Sequence, residues 1–140
     1  MTIGYTTGVF DMFHIGHLNI IRAARERCDY LIVGVSTDEL VQREKQKLPI
    51  IPFEERMEIV SALKCVDKVV PQVNKNKLSA WKQYHFNKMF VGDDWKGTET
   101  WNEYESQFRP LGVEIVYLPH TDGISSTILT EYVKNHMDIH

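Results

Sequence analysis

Apolar and polar positions along the chain fall into two kinds of segment that take turns. One kind is short and almost continuously apolar: "TIGYTTGVF" (2–10), "DYLIVGVS" (29–36), "VDKVVP" (66–71), "KMFVG" (88–92) and "GVEIVYLP" (112–119). Continuous rather than alternating runs are what strands buried on both faces require. The other kind is amphipathic. In "GHLNIIRAARERC" the apolar residues Leu18, Ile20, Ile21 and Ala24 fall on one helical face and charges fill the rest. "PFEERMEIVSALK" carries Pro52 near its start and Glu54 and Glu55 in its first turn, all favourable there. "KLSAWKQYHF" and "SSTILTEYVKNH" read as two further helices. The charged stretch "VQREKQKLPIIP" reads as a loop, and the polar, aromatic stretch from Asp93 to Pro110 predicts no element.

Strands taking turns with helices predict an α/β fold: one Rossmann-like parallel sheet of about five strands, flanked by helices, in a single domain over residues 1–140. Ligands in such sheets sit beyond the carboxyl ends of the strands. Chemistry is therefore expected at 8–17, 36–47, 92–97 and 119–127, and polar or glycine-rich segments stand at each of them.

Composition narrows the function classes. The chain has 140 residues, 43% hydrophobic and 25% charged, with a net charge of −3. That is an ordinary globular balance with no basic field for nucleic acid. No apolar run approaches the roughly 20 residues of a membrane span, and the N-terminus lacks the pattern of a signal peptide. A cytoplasmic location is the expectation. Cys28 and Cys65 follow no metal-type spacing and read as ordinary thiols.

The first strand runs into "GVFDMFHIGH", and then a helix begins. No dinucleotide fingerprint or Walker sequence is present. A helix N-terminus is nonetheless an anion site, because its first N–H groups lack partners and the helix dipole is positive there. Gly16 allows a phosphate to approach the backbone, and His14 and His17 share one face of a helical turn. Both rings can donate to one phosphate. Two other readings stand beside that one: a metal site, for which only Asp11 is a nearby further ligand, and histidines hydrogen-bonded within the core. Asp11 itself suits capping the helix or orienting a histidine better than holding a metal.

This H-x-G-H motif resembles the nucleotidyltransferase superfamily that includes cytidylyltransferases and phosphopantetheine adenylyltransferase. "STDEL", "EER", "VDKVVP", "GDDWKGT" and "HTDGISST" follow in an order similar to the bacterial glycerol-3-phosphate cytidylyltransferase group, from about residue 3 to residue 134. The resemblance implies a transfer of CMP from CTP, with Mg2+, to a small phosphorylated alcohol, most simply sn-glycerol 3-phosphate. It implies that His14 and His17 hold the phosphates and stabilise the α-phosphorus. It places Gly8, Val9, Phe10, Asp11 and Gly16 at the nucleotide, Lys45 and Lys47 on a loop that reaches the triphosphate, and Arg56 at a family arginine. Asp94 and Trp95 would help form the base pocket, and a carboxylate can accept from cytosine's amine. The alternative for Trp95 is core packing. His120, Thr121, Gly123, Ile124, Ser125, Ser126 and Thr127 would form a second phosphate site, where hydroxyls and N–H groups at a helix start suit the β- and γ-phosphates. The partners implied are CTP, the phosphorylated alcohol and a second copy of the chain in a homodimer.

Four departures bear on the acceptor and the nucleotide. Val9 replaces a threonine, His120 an arginine and Lys64 an arginine of the group's pattern, and the segment from Thr98 to Pro110, with Trp101, Tyr104 and Phe108, is longer than in that group. Phosphocholine or phosphoethanolamine as acceptor, adenylyl transfer, and a nucleotide-binding subunit without turnover are the competing functions.

Overall fold

The computed structural model describes residues 1–119. Strand β1 (Ile3–Gly8) is followed by helix α1 (Ile15–Arg25), β2 (Tyr30–Ser36), α2 (Asp38–Lys45), α3 (Phe53–Ser61), β3 (Lys68–Gln72), α4 (Lys77–Tyr84), β4 (Lys88–Gly92), α5 (Glu99–Phe108) and β5 (Glu114–Leu118). The five strands form one sheet in the order β3-β2-β1-β4-β5, and every neighbouring pair is parallel. The order reverses between β1 and β4, so their carboxyl ends flank the crevice where such sheets bind ligands.

Each face of the sheet has its own core. Leu31, Val33 and Val35 of β2 point to one side, with Ile21 and Ala24 of α1 and Val60 of α3. Ile32 points to the other, with Phe86, Met89 and, from α5, Trp101 and Phe108. Coverage on both faces explains why the strands read as continuous apolar runs. Gly4 leaves room on β1 for the Phe90 ring of β4 and for Cys28, just beyond α1: a Cβ there would stand 2.6 Å from the ring and 2.7 Å from Cys28 Sγ.

Two helices were not expected from the hydrophobic pattern. Helix α2 buries only Leu40 and Val41, so its apolar face is too narrow to stand out among its charges. Its start is fixed by Thr37, whose side chain accepts from Leu40 N–H, and by Asp38 and Glu39 in the first turn. Helix α5 replaces the structureless stretch expected after Asp93. Thr98 caps it by accepting from the Trp101 N–H, and it buries Trp101 and Phe108 two turns apart. The expected last helix, "SSTILTEYVKNH", lies outside the described residues.

Candidate functional site

The turn between β1 and α1 is built from unusual backbone. Phe10 and Met12 adopt left-handed φ of 56° and 49°. Bulky residues hold that conformation only when the surroundings impose it. Phe10 is buried in the core, its ring tucked back over the end of β1, where a Cβ on Gly8 would meet it at 2.9 Å. The same ring meets His17 edge-on, with centroids 5.5 Å apart.

The two histidines are the cap of α1. His14 is the N-cap residue, and its Nδ1 accepts from the Gly16 N–H at 3.0 Å. His17, three residues on, returns the bond: its Nδ1 accepts from the His14 N–H at 3.3 Å. This is a capping box made of two imidazoles, and it takes the capping role expected of Asp11. With each Nδ1 an acceptor, each neutral ring carries its proton on Nε2 and offers it as a donor. The rings stack with centroids 3.9 Å apart. Burial, then the neighbouring His14, push the His17 pKa down to about 4, with Asp11 opposing. Burial also lowers His14. The His17 ring is therefore a neutral donor near pH 7, and burial biases His14 toward the same neutral form. Gly16 is buried and its N–H is spent on the cap, so its contribution is local geometry.

Asp11 has a different task from capping α1. Its two carboxylate oxygens accept from the N–H groups of Ile50 and Ile51, each at 2.9 Å. Arg56 meets the same segment from the other side. It is fully buried and donates to the carbonyls of Ile51 at 2.9 Å, Val9 at 2.7 Å and Ser36 at 2.7 Å, and to Asp38 at 2.6 Å. Arg56 is thus neither an exposed helix residue nor part of the cavity wall. It is a joint between the ends of β1 and β2 and the start of α3.

A cavity of about 410 Å³ opens at the carboxyl ends of β1 and β4. From the sequence expectations it brings together Gly8, Val9, Phe10 and Asp11 with His17, Lys45, Lys47 and Trp95. Lys45 closes the last turn of α2 rather than lying in a loop, and Gln46, at φ 56°, separates it from Lys47. Trp95 is 54% exposed at the cavity mouth, which decides against core packing. Asp94 stands beside it on the 3₁₀ turn Asp93–Trp95, exposed and outside the wall. His14 is outside the cavity wall and stacks on His17, which lines it. His120, Thr121, Gly123, Ile124, Ser125, Ser126 and Thr127 lie outside the described residues.

Sequence reasoning missed Lys77. This lysine opens α4, is buried, and donates from Nζ to Thr7 Oγ1 at 3.2 Å in the cavity wall. Burial, and then Lys75, bring its pKa down to about 8. Its signal was a lysine in the first turn of a helix, where the dipole disfavours a cation. Among the described residues, no group of three His, Cys, Asp or Glu could hold a metal ion.

A crossing point of a parallel sheet, two neutral imidazole donors at a helix start and three lysines round one cavity fit a polyphosphate ligand. Comparison with known families agrees. The cytidylyltransferase-like family pattern matches residues 5–131. The chain belongs to the cytidylyltransferase-like family. It is 40% identical to the glycerol-3-phosphate cytidylyltransferase of Bacillus spizizenii (strain ATCC 23059 / NRRL B-14472 / W23) over 123 residues, covering 87% of this chain and 89% of the relative. It is 35% identical to the Bacillus subtilis (strain 168) enzyme of the same name, covering 91% and 94%. Among solved structures, the lipopolysaccharide core biosynthesis protein of Thermoplasma volcanium GSS1 superposes with a TM-score of 0.71 at 26% identity, covering 86% of this chain and 97% of that one. This member of the family has no helix among its described residues long and apolar enough to cross a membrane.

Proposed function

We propose that the chain transfers the cytidylyl group of CTP to a small phosphorylated alcohol, sn-glycerol 3-phosphate, giving CDP-glycerol and pyrophosphate. The observation that carries the reading is the paired imidazole cap opening into a lysine-lined cavity at the β1/β4 crossing. The relatives named glycerol-3-phosphate cytidylyltransferase support this acceptor.

A phosphate oxygen of the acceptor attacks the α-phosphorus of CTP. The new P–O bond forms as the bond to the bridging oxygen breaks, and pyrophosphate leaves with that electron pair. The attacking phosphate is already anionic, so the step needs positioning and charge stabilisation more than a base. His14 and His17 donate their Nε2 protons to the nucleotide phosphates. Lys45 and Lys47 cover the triphosphate from the end of α2, and Lys77 takes the acceptor phosphate on the far wall. Trp95 lines the base end, with Asp94 beside it. Mg2+ enters as part of the substrate, carried on the triphosphate oxygens, as is usual for this ion. A second copy of the chain completes a homodimer, on the strength of the family resemblance, and light scattering tests it.

Pyrophosphate release with CTP or ATP is measured against glycerol 3-phosphate, phosphocholine and phosphoethanolamine. Turnover with CTP and glycerol 3-phosphate is expected to exceed every other pair by at least tenfold, on the order of one missing hydrogen bond. Preference for another acceptor overturns the acceptor, and binding of CTP without turnover overturns the enzyme.

A further inference from the structure

Both main-chain polar groups of Ile51 are held by side chains. Its N–H goes to Asp11 and its carbonyl accepts from Arg56. The N–H of Ile50 goes to the other Asp11 oxygen. Arg56 also grips the Val9 carbonyl, two residues before Asp11, and the Asp38 carboxylate at the start of α2. Asp38 in turn accepts from the Phe53 N–H at 3.3 Å. The segment between α2 and α3 therefore has one firm root, at residues 50–53. That root is bolted to the turn that positions His14 and His17. The other end of the segment is Lys45 and Gln46, the latter in the left-handed region. Between the two ends the chain is held by few side chains: Lys47 and Leu48 are exposed.

Resting on the cytidylyl-transfer reading, we infer that Asp11 is a positioning residue for the lysine segment. By holding the N–H groups of Ile50 and Ile51 it fixes where Lys45 and Lys47 stand over the cavity, and Arg56 locks the same joint from the carbonyl side. Asp11 then serves the reaction through the two lysines. Two features make it suited to this. A carboxylate gives each of two successive N–H groups its own acceptor oxygen, whereas an amide or hydroxyl has one oxygen to share. It also shares one cavity wall with both lysines and His17, so a single group couples the placement of both phosphate-binding elements.

The test is a double-mutant cycle on the full chain. Asp11→Asn loses one acceptor and turns a donor toward a donor. In the otherwise unchanged protein it is expected to lower kcat/KM for CTP by up to about a hundredfold, the scale of a 1 Å misplacement. In the Lys45→Met/Lys47→Met background the same change is expected to cost no more than about threefold, because the groups it positions are gone. Costs that multiply in the two backgrounds overturn the inference. So does restoration of Asp11→Asn by raised Mg2+, which would mark the carboxylate as a metal contact. Asp11→Glu keeps the charge and moves the acceptors by one methylene. Its activity should fall as for Asn, whereas wild-type activity would overturn positioning.

Hydrogen exchange gives a reading that needs no turnover. The Ile50 and Ile51 amides should be protected without nucleotide and lose that protection in Asp11→Asn, while Gly16, capped by His14, keeps it. Unchanged exchange at Ile50 and Ile51 overturns the anchor itself. Should Asp11→Asn not fold, Asp11→Ser, which reaches at most one N–H, enters the same cycle. Absence of CTP turnover in the unmodified protein would sink the cytidylyl-transfer reading, and the exchange result would still decide the anchor.

Discussion

His14 and His17 cap the helix they open as one stacked pair: His14 Nδ1 accepts from the Gly16 N–H, His17 Nδ1 accepts from the His14 N–H, and the ring centroids lie 3.9 Å apart. The arrangement fixes the tautomer before any ligand arrives. Both Nε2–H groups are donors, held in a stack that neither ring can leave without breaking a cap bond. Preorganised donors of this kind act on charge that develops during reaction, without reorganisation at that moment.

Removal of one ring should therefore have two separable effects. His17→Ala is expected to lower kcat by about 10²–10³-fold, the usual loss for one well-placed donor. It also deletes the bond to the His14 N–H, which should cost about 1 kcal/mol of stability, as cap losses do. Steady-state kinetics and urea unfolding measure the two. Near-normal kcat in a folded variant would leave His17 with the capping role alone.

The protonation states predict a pH dependence with a definite sign. An unfolded histidine titrates near about 6.5. In the fold His17 is pushed down to about 4, first by burial and then by His14. Between those values the unfolded chain binds more protons than the folded one. Stability from this source is complete above about 6.5 and is lost as pH falls toward 4. His17→Gln should flatten the urea midpoint between pH 7 and pH 5. With both substrates saturating, kcat should not decline from pH 7 to pH 8, as it would if an imidazolium were the donor. A decline of that shape, removed by His17→Gln, would make the charged ring the working form.

Much of this fold was legible because burial on both faces writes itself into the chain as continuous apolar runs. Strand β4 matches its expected span, and β2 differs by one residue. Helix α5 was legible and overlooked: Trp101, Tyr104 and Phe108 recur at helical spacing behind the capping Thr98. Helix α2 was not, because two buried residues make no periodicity. At the site, residue types announced themselves better than their partners did. Nothing in "GVFDMFHIGH" says that Asp11 will reach Ile50 and Ile51, 39 and 40 positions away. Nor does it announce left-handed backbone at Phe10 and Met12, where the usual glycine signal is missing. Nor does the chain announce the burial of Arg56: the Ile51 carbonyl is five residues away, but only the long-range topology brings those of Val9 and Ser36.

Arg56 should be among the costliest positions to change. Its guanidinium has no exposure, and its departure would strand three carbonyls and the Asp38 carboxylate, whose side chain is 31% exposed. Breaking a buried ion pair by removing one partner typically costs about 3–5 kcal/mol. Arg56→Met is expected to fall in that range by denaturant unfolding. Arg56→Lys should be nearly as harmful, since an ammonium cannot spread its donors over the same fork. A loss below about 1 kcal/mol, the worth of an exposed pair, would show that the joint is dispensable.

Lys77 offers a test of which wall receives the acceptor. Burial, with help from Lys75, brings its pKa down from 10.5 to about 8, so the empty site loses the cation as pH rises through that value. A phosphate dianion is best held by the charged form. The KM for the phosphorylated alcohol should therefore rise between pH 7 and pH 9, while the rise for CTP, for which Lys45, Lys47 and two imidazoles are proposed, should be smaller. Lys77→Met removes a hydrogen bond to a charged group, worth about 1.5–3 kcal/mol, so the acceptor KM should increase roughly 10- to 100-fold at pH 7. The variant's acceptor KM should also lose most of its pH dependence over this range. That second result separates the charge from mere support of Thr7, which an uncharged side chain of similar length can partly retain. Kinetics for both substrates at pH 7 and pH 9 decide the matter: an acceptor KM that climbs as steeply in Lys77→Met as in the wild type would assign the titration to another group and the acceptor phosphate to another part of the cavity.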